Sequence, residues 1–376
     1  MQRLQPKNDR TRKQQKGLSL VELMIALVVS SLLMLGVFEV FVGSSGTDRI
    51  AHAYARVQEN GRLAMDILTR HIRMAGYQGC IDFEIVDMNI IANNAPTGDL
   101  TGRAILGYET QHSGWNTVNR DNYLAPINGV HVGSDVIYVQ YVSPTGVNVI
   151  CPGGGNSCSS VSAEIKIDDN SIGLNKYDIA VVSDCENADM FRIVNLPKDT
   201  DNKTTITHSS SHNTSNFLSK PYGEDSEVMS FEALAFYTKD TGRNTNRGNP
   251  IYSLYQFDST FHDGTGTGSY VTGREVELVE GIEQLQILYG QRLADGNLRF
   301  VDATDGNLDF AEVDAVRIGL LVSSSEEILT DPDNDTYRLP GNDIEPLGTT
   351  SAIATHTVDR RLRLAFTSTI VLRNRQ

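Results

Sequence analysis

One apolar run, from Leu18 to about Val42, constrains this chain more than any other feature. Its 25 residues would form a helix of about 37 Å, enough to span a bilayer with some tilt. No second segment is apolar enough to do so, which excludes a polytopic membrane protein. An ordinary secretory signal has an apolar region of about 7–15 residues with the cleavage site behind it. Here the run is longer, and the expected cleavage point lies in front of it, at Gly17. Residues 1–17 carry Arg3, Lys7, Arg10, Arg12, Lys13 and Lys16 against Asp9, a net of +5. The rest of the chain has 26 basic and 46 acidic residues, a net of −20. A basic leader on an acidic body places the leader on the cytoplasmic side and the body across the membrane. The acidic body also argues against nucleic acid as a partner, because it would repel phosphates.

Glu22 sits close to the start of this run. A carboxylate at membrane depth costs about 2.5–3.5 kcal/mol on insertion scales, so a plain uncut anchor gains nothing from it. Cleavage after Gly17 would free an amine on Leu18, one helical turn from Glu22, and supply a partner cation. The string Lys16-Gly17-Leu18-Ser19-Leu20-Val21-Glu22-Leu23 closely resembles the type IV prepilin processing site. The resemblance implies that a prepilin peptidase cuts between Gly17 and Leu18 and methylates Leu18. It also implies that Glu22, at the fifth mature position, docks subunits during assembly. There are two departures from the pattern: Leu18 replaces the commoner Phe, and Glu39 stands where major pilins carry a helix-kinking Pro. The second departure predicts a straighter helix.

Beyond the span, Ile50, Tyr54, Val57, Gly61, Ala64, Leu68 and Ile72 recur at steps of three and four, an amphipathic stripe. Arg56, Glu59, Arg62, Asp66 and Arg70 fall between them. Gly76 and Gly79 are the first stop signals, so one helix from about Leu18 to Ala75 is expected. After Cys80 the pattern changes to β-rich runs: Asp135–Val142, Tyr177–Ser183, Met190–Leu196, Val228–Thr238, Ile251–Phe257, Val276–Gly290, Val313–Val322 and Leu362–Leu372. Loops rich in Gly, Ser, Asn and Thr separate them, at Lys198–Asn216, Gly242–Asn249, Asp263–Ser269 and Asp331–Thr350. The organisation expected is a leader over 1–17, a transmembrane half-helix over 18–42, an amphipathic half over 43–75 and a β-rich body over 76–376. The fold class is α+β, a long helix packed on an antiparallel sheet with large loop insertions.

Further stretches narrow the resemblance. Gly61 to Leu68, Ile72 to Cys80, Val182-Ser183-Asp184-Cys185, Glu280-Gly281-Ile282-Glu283 and the run from Arg360 to Asn374 are similar to PilW-family minor pilins. The variable loops remain unmatched. The resemblance implies a pilin-like fold and a minor subunit that primes type IV pilus assembly and sits at or near the tip. It implies a pilus serving adhesion and twitching motility. Expected partners are other minor pilins, the major pilin and a PilY-family tip adhesin. The expected location is the bacterial inner membrane, with a single pass and a periplasmic body, and then the extracellular pilus. J-type pseudopilins of type II secretion share the helix and general fold and are the first alternative. An uncut, signal-anchored binding module is the second.

Cys80, Cys151, Cys158 and Cys185 all lie in the exported body, and an even count there argues for disulfides, with three pairings open. Cys151 and Cys158 bound a short Gly-rich loop that can close locally, which leaves Cys80 to Cys185. Zinc is a poor rival, because no two cysteines have the close spacing of a zinc site. Asp331, Asp333 and Asp335 alternate as in hard-cation loops, with Asp343 and Glu345 beyond, but the next Gly and the twelfth-position Glu are missing. A solvated acidic turn is the expected reading, and calcium the weaker candidate. Gly264-Thr265-Gly266-Thr267-Gly268 has no following GK[ST] and reads as a flexible loop. His208 and His212 are expected in an exposed polar loop. No G-x-S-x-G, HExxH or Rossmann signature occurs, so neither an enzyme nor a cofactor is expected.

Overall fold

The fold is given by a computed structural model. It describes residues 19–80, 88–93, 95, 103–111, 114–115, 127, 129–151, 163–198, 203–260, 274–350 and 352–374. The chain divides into two compact units, Met1–His52 and Ala53–Gln376. One helix, α1 (Leu20–Met74), belongs to both and runs without interruption through Glu39. It stops where Gly76 takes a left-handed φ of 75°, a conformation that costs glycine little.

Throughout the first unit the described part of α1 is exposed. Two of its hydroxyl side chains bond back to the helix backbone. Ser31 donates to the Val28 carbonyl at 2.8 Å and Thr47 to the Gly43 carbonyl at 3.1 Å. In the second unit Val57, Gly61, Ala64, Leu68 and Ile72 are buried, as their spacing predicts, whereas Ile50 and Tyr54 of the expected stripe are exposed. Asn60 fixes the helix by donating to the Glu280 carbonyl at 3.0 Å, and His71 Nδ1 lies 2.7 Å from the Tyr141 hydroxyl.

The strands are β1 (Asn89–Ile90), β2 (Ile105–Gln111), β3 (Gly114–Trp115), β4 (Asp135–Asn148), β5 (Glu164–Ile167) and β6 (Ile179–Ser183). They continue with β7 (Ala188–Arg192), β8 (Thr204–Thr207), β9 (Glu227–Asn244), β10 (Pro250–Asp258), β11 (Arg274–Glu280) and β12 (Ile282–Arg292). The last six are β13 (Leu298–Val301), β14 (Val313–Glu327), β15 (Tyr337–Arg338), β16 (Asp343–Pro346), β17 (Ala354–His356) and β18 (Arg361–Val371). A large sheet has the order β1-β7-β6-β9-β4-β2-β3, with β10 on β9 and β11 on β10. A second sheet has the order β13-β12-β14-β18. Strands β15, β16 and β17 form a third sheet, and β5 pairs with β8.

Both long strands of the large sheet are covered on two faces. Ile137 and Val139 join a core with the helical stripe and with Leu285, Ile287, Ile318 and Leu320 of the second sheet. Val136 and Tyr138 point the other way, into a core with Val181, Met190, Ala233 and Ala235. That double burial explains why Val136-Ile137-Tyr138-Val139 reads as an unbroken apolar run.

The expected strand Val276–Gly290 is two strands in different sheets. Gly281 breaks it with φ 87°, and a Cβ there would stand 2.5 Å from the Ser323 carbonyl oxygen. Its N–H donates to Tyr252 and its carbonyl accepts from Ser323, so the turn is pinned from both sides. Two expected loops also contain strands: β8 lies within Lys198–Asn216, and β15 and β16 within Asp331–Thr350. The supposed loop from Gly242 is strand as far as Asn244. Asp263–Ser269, with its glycine run, lies outside the described residues.

Candidate assembly site

The start of α1 is a capping box. Ser19 is the cap: its hydroxyl accepts from the Val21 N–H at 3.3 Å, and Glu22 Oε2 accepts from the Ser19 N–H at 3.0 Å. The S-x-x-E pattern dictates this reciprocal pair, and a carboxylate in the first turn is favoured by the helix dipole. Sequence reasoning looked for a cation beside Glu22 and missed the local donor, although the spacing of Ser19 and Glu22 was legible. Gly17 and Leu18 lie outside the described residues.

From the cap onward the helix shows apolar side chains on every side. Leu20 is 76% exposed, Met34 76% and Phe41 68%. It is a helix long and apolar enough to cross a membrane, and none of its apolar window is buried within the chain. Such a surface must be met by lipid or by other apolar helices. It ends in Gly43-Ser44-Ser45-Gly46, four weak helix formers in a row.

The body is tied to the helix end by a disulfide between Cys80 and Cys185, with Cα atoms 5.2 Å apart. This closes a separation of 105 residues, and the chain-entropy model assigns such a loop about 4–5 kcal/mol. Cys151 is also disulfide-bonded, and Cys158, its expected partner, lies outside the described residues.

One carboxylate of the acidic loop turns into the protein. Asp333 is buried, with Oδ2 2.9 Å from Arg363 Nη1 and 2.9 Å from the Tyr337 hydroxyl, while Oδ1 accepts from the Asp335 N–H. Asp331 and Asp335 are exposed, and Asp343 lies in β16. Among the described residues no group of three or more His, Cys, Asp or Glu side chains could hold a metal ion. His208 departs from expectation: it is fully buried against Phe191, its backbone N–H donating to the Ala163 carbonyl. His212 is half-buried, its ring beside Tyr177.

Arg363 belongs to a buried ion cluster at the head of β18. Its Nε lies 2.7 Å from Glu283 and its Nη2 2.9 Å from Asp359. Arg361 Nε is 2.6 Å from Asp359, and Arg361 Nη2 is 2.7 Å from Glu283, off the line of a hydrogen bond. Burial alone would raise Glu283, but the Arg363 and Arg361 guanidinium groups hold its carboxyl down at about 2. The cluster locks β12, β18 and the acidic loop together.

No curated protein and no solved structure matches the chain. Two family models do. The prokaryotic N-terminal methylation motif matches residues 12–38, and Type IV Pilus-assembly protein W matches residues 241–374. The second match takes in the end of β9 and all strands from β10 to β18, including the ion cluster. Both matches point to a structural pilin-type protein and not to an enzyme. The chain carries a region matching pilus-assembly protein W behind a prepilin-type methylation motif, and the two matches together support a type IV pilus-associated minor pilin.

Proposed function

We propose that the chain is a minor pilin that helps prime type IV pilus assembly and is carried out at or near the pilus tip. The observation that carries this reading is the coexistence of a methylation motif, an all-round apolar helix and a pilus-assembly protein W domain in one chain. In this reading prepilin peptidase cuts between Gly17 and Leu18 and methylates the Leu18 amine. Residues 18–42 sit in the inner membrane before assembly, with the body in the periplasm. The apolar helix then exchanges lipid for the helices of other minor pilins and the major pilin. Glu22, already bonded to the Ser19 N–H, keeps a carboxylate beside the amine of its own or a neighbouring chain. A PilY-family adhesin is the tip partner that the family resemblance suggests.

The N-terminal mass of the protein recovered from sheared surface pili tests the reading. Loss of residues 1–17 with a methylated Leu18 is expected. Retention of Met1 would overturn it in favour of an anchor, and confinement of the protein to wild-type membranes, with enzyme secretion lost in a deletion strain, in favour of a pseudopilin.

A further inference from the structure

The large sheet meets β12 through side chains. Strand β13 pairs with β12 only over Tyr289–Arg292, which leaves the backbone of Glu283, Leu285 and Ile287 facing the segment before β4. There His131 Nδ1 meets the Glu283 carbonyl at 2.7 Å, and Ser134 Oγ accepts from the Leu285 N–H at 3.0 Å. Asp135 Oδ2 accepts from the Ile287 N–H at 2.6 Å. Three side chains thus take the place of a missing strand.

Asp135 is also directly opposite Glu109 in the β2–β4 register, so two carboxyl groups share one face as a cross-strand pair. Like charges in that position repel. Asp135 is 3% exposed, and its second oxygen, Oδ1, is buried with no other hydrogen-bond partner. Glu109 accepts from the Ala303 N–H at 3.4 Å, and the buried Tyr289 ring packs over Gly107, two residues along β2. The other charged or titratable groups acting on this cluster are Asp302, Tyr289 and Tyr108, all acids.

We propose that Glu109 and Asp135 share a single proton, and that this proton clasps the large sheet to β12 so that the junction loosens in alkali. An ionised carboxylate only accepts hydrogen bonds, and two facing ones need a proton between them. The backbone N–H groups of Ile287 and Ala303 already occupy one oxygen on each side, and Asp135, the more deeply buried of the two, carries the proton while Glu109 accepts it. Burial raises both carboxyls, and the charge of Glu109 pushes Asp135 well above the ordinary aspartate range. A group raised on folding contributes stability that is full below its unfolded pKa and is lost as pH rises through its folded pKa. The proton leaves to bulk water, and two anions then face each other across β2 and β4.

The test uses the full chain in detergent micelles, with thermal unfolding followed from about pH 6 to about pH 9. Asp135→Asn keeps an acceptor for Ile287 and offers an N–H₂ to Glu109 without a titrating proton. Its melting temperature is expected to gain on wild type steadily with pH, the gap widening by at least about 2 °C over that range. Parallel profiles would overturn the proposal. So would a wild-type profile flattened by added calcium chloride and restored by chelator, because the pair would then hold a cation. Should Asp135→Asn fail to fold, infrared spectra of the wild-type protein decide. A protonated carboxyl band that disappears in alkali supports the clasp, and its absence at about pH 6 sinks it.

Discussion

Between Leu20 and Val42, α1 is apolar on every side and exposed, whereas between Val57 and Ile72 one stripe is buried and the opposite face is mostly charged. The two stretches share one helix and one period. They differ in what completes them. The second stretch finds its partner in the chain's own sheets, and its outward face carries Arg56, Glu59, Arg62, Asp66 and Arg70. The first has no apolar partner among the described residues and carries two acids, Glu22 and Glu39, on a mostly apolar surface. An all-round apolar helix is a demand for external apolar surroundings, and an amphipathic one is a demand already met.

The largest expected effect concerns the first stretch and asks what Glu22 is for. As a cap it needs only an acceptor, which glutamine retains in a capping box. As an assembly residue it needs its charge. Glu22→Val and Glu22→Gln should both be cleaved and inserted, since the change lies inside the mature helix and lowers the cost of burial in lipid. Both variants should then be missing from sheared pili while present in membranes, as read by immunoblot of the two fractions. Glu22→Gln in the sheared fraction at wild-type levels would reduce Glu22 to a helix cap.

The next effect tests how firmly the second stretch is held, through the sheets it packs on. Arg363 faces three buried carboxylates, and Arg363→Met leaves Glu283 and Asp359 with Arg361, and Asp333 without a cation. Breaking a buried ion pair by removing one partner costs about 3–5 kcal/mol. Glu283, held at about 2 in the intact cluster, contributes stability present above the ordinary glutamate pKa and lost as pH falls towards 2. In Arg363→Met the acid limb of the stability profile should begin at higher pH, as chemical denaturation from about pH 3 to about pH 7 would show. An unchanged midpoint at neutral pH would mean that the cluster does not hold the sheets.

Much of this was legible in the residues. The long helix, its stop at Gly76, the α+β class and the strong strands follow from periodicities of 3.6 and 2 with glycine punctuation. What stayed hidden depends on contacts distant in sequence. Nothing local marks Gly281 as the point where one apolar run divides between two sheets, because the division rests on the Ser323 backbone. Asp333 looks like a calcium ligand until Arg363, thirty residues away in sequence, is seen to claim it. His208 sits among Ser and Thr yet is buried, because β8 carries it under Phe191. Glu109 and Asp135 reveal nothing as a pair until the strand register sets them opposite each other.

The smallest effect contrasts the two stretches by the same chemical change. Glycine to alanine inside a helix is favourable by about 0.8–1 kcal/mol when the new methyl group meets nothing. Gly46 satisfies that condition, with no atom within 4 Å of a built Cβ, so Gly46→Ala should raise helicity and stability by about that amount. Gly61 does not satisfy it. A Cβ there would lie 2.4 Å from the Phe366 ring of β18, and the ring would have to move within a packed core. Overpacking of this kind costs about 1–3 kcal/mol, which exceeds the propensity gain over most of its range. Gly61→Ala is therefore expected to lower the melting temperature where Gly46→Ala leaves it unchanged or raises it, both read by circular dichroism on the full chain in detergent. Equal shifts of the same sign would mean that Phe366 yields freely, and that the helix meets its own sheet more loosely than the buried stripe implies.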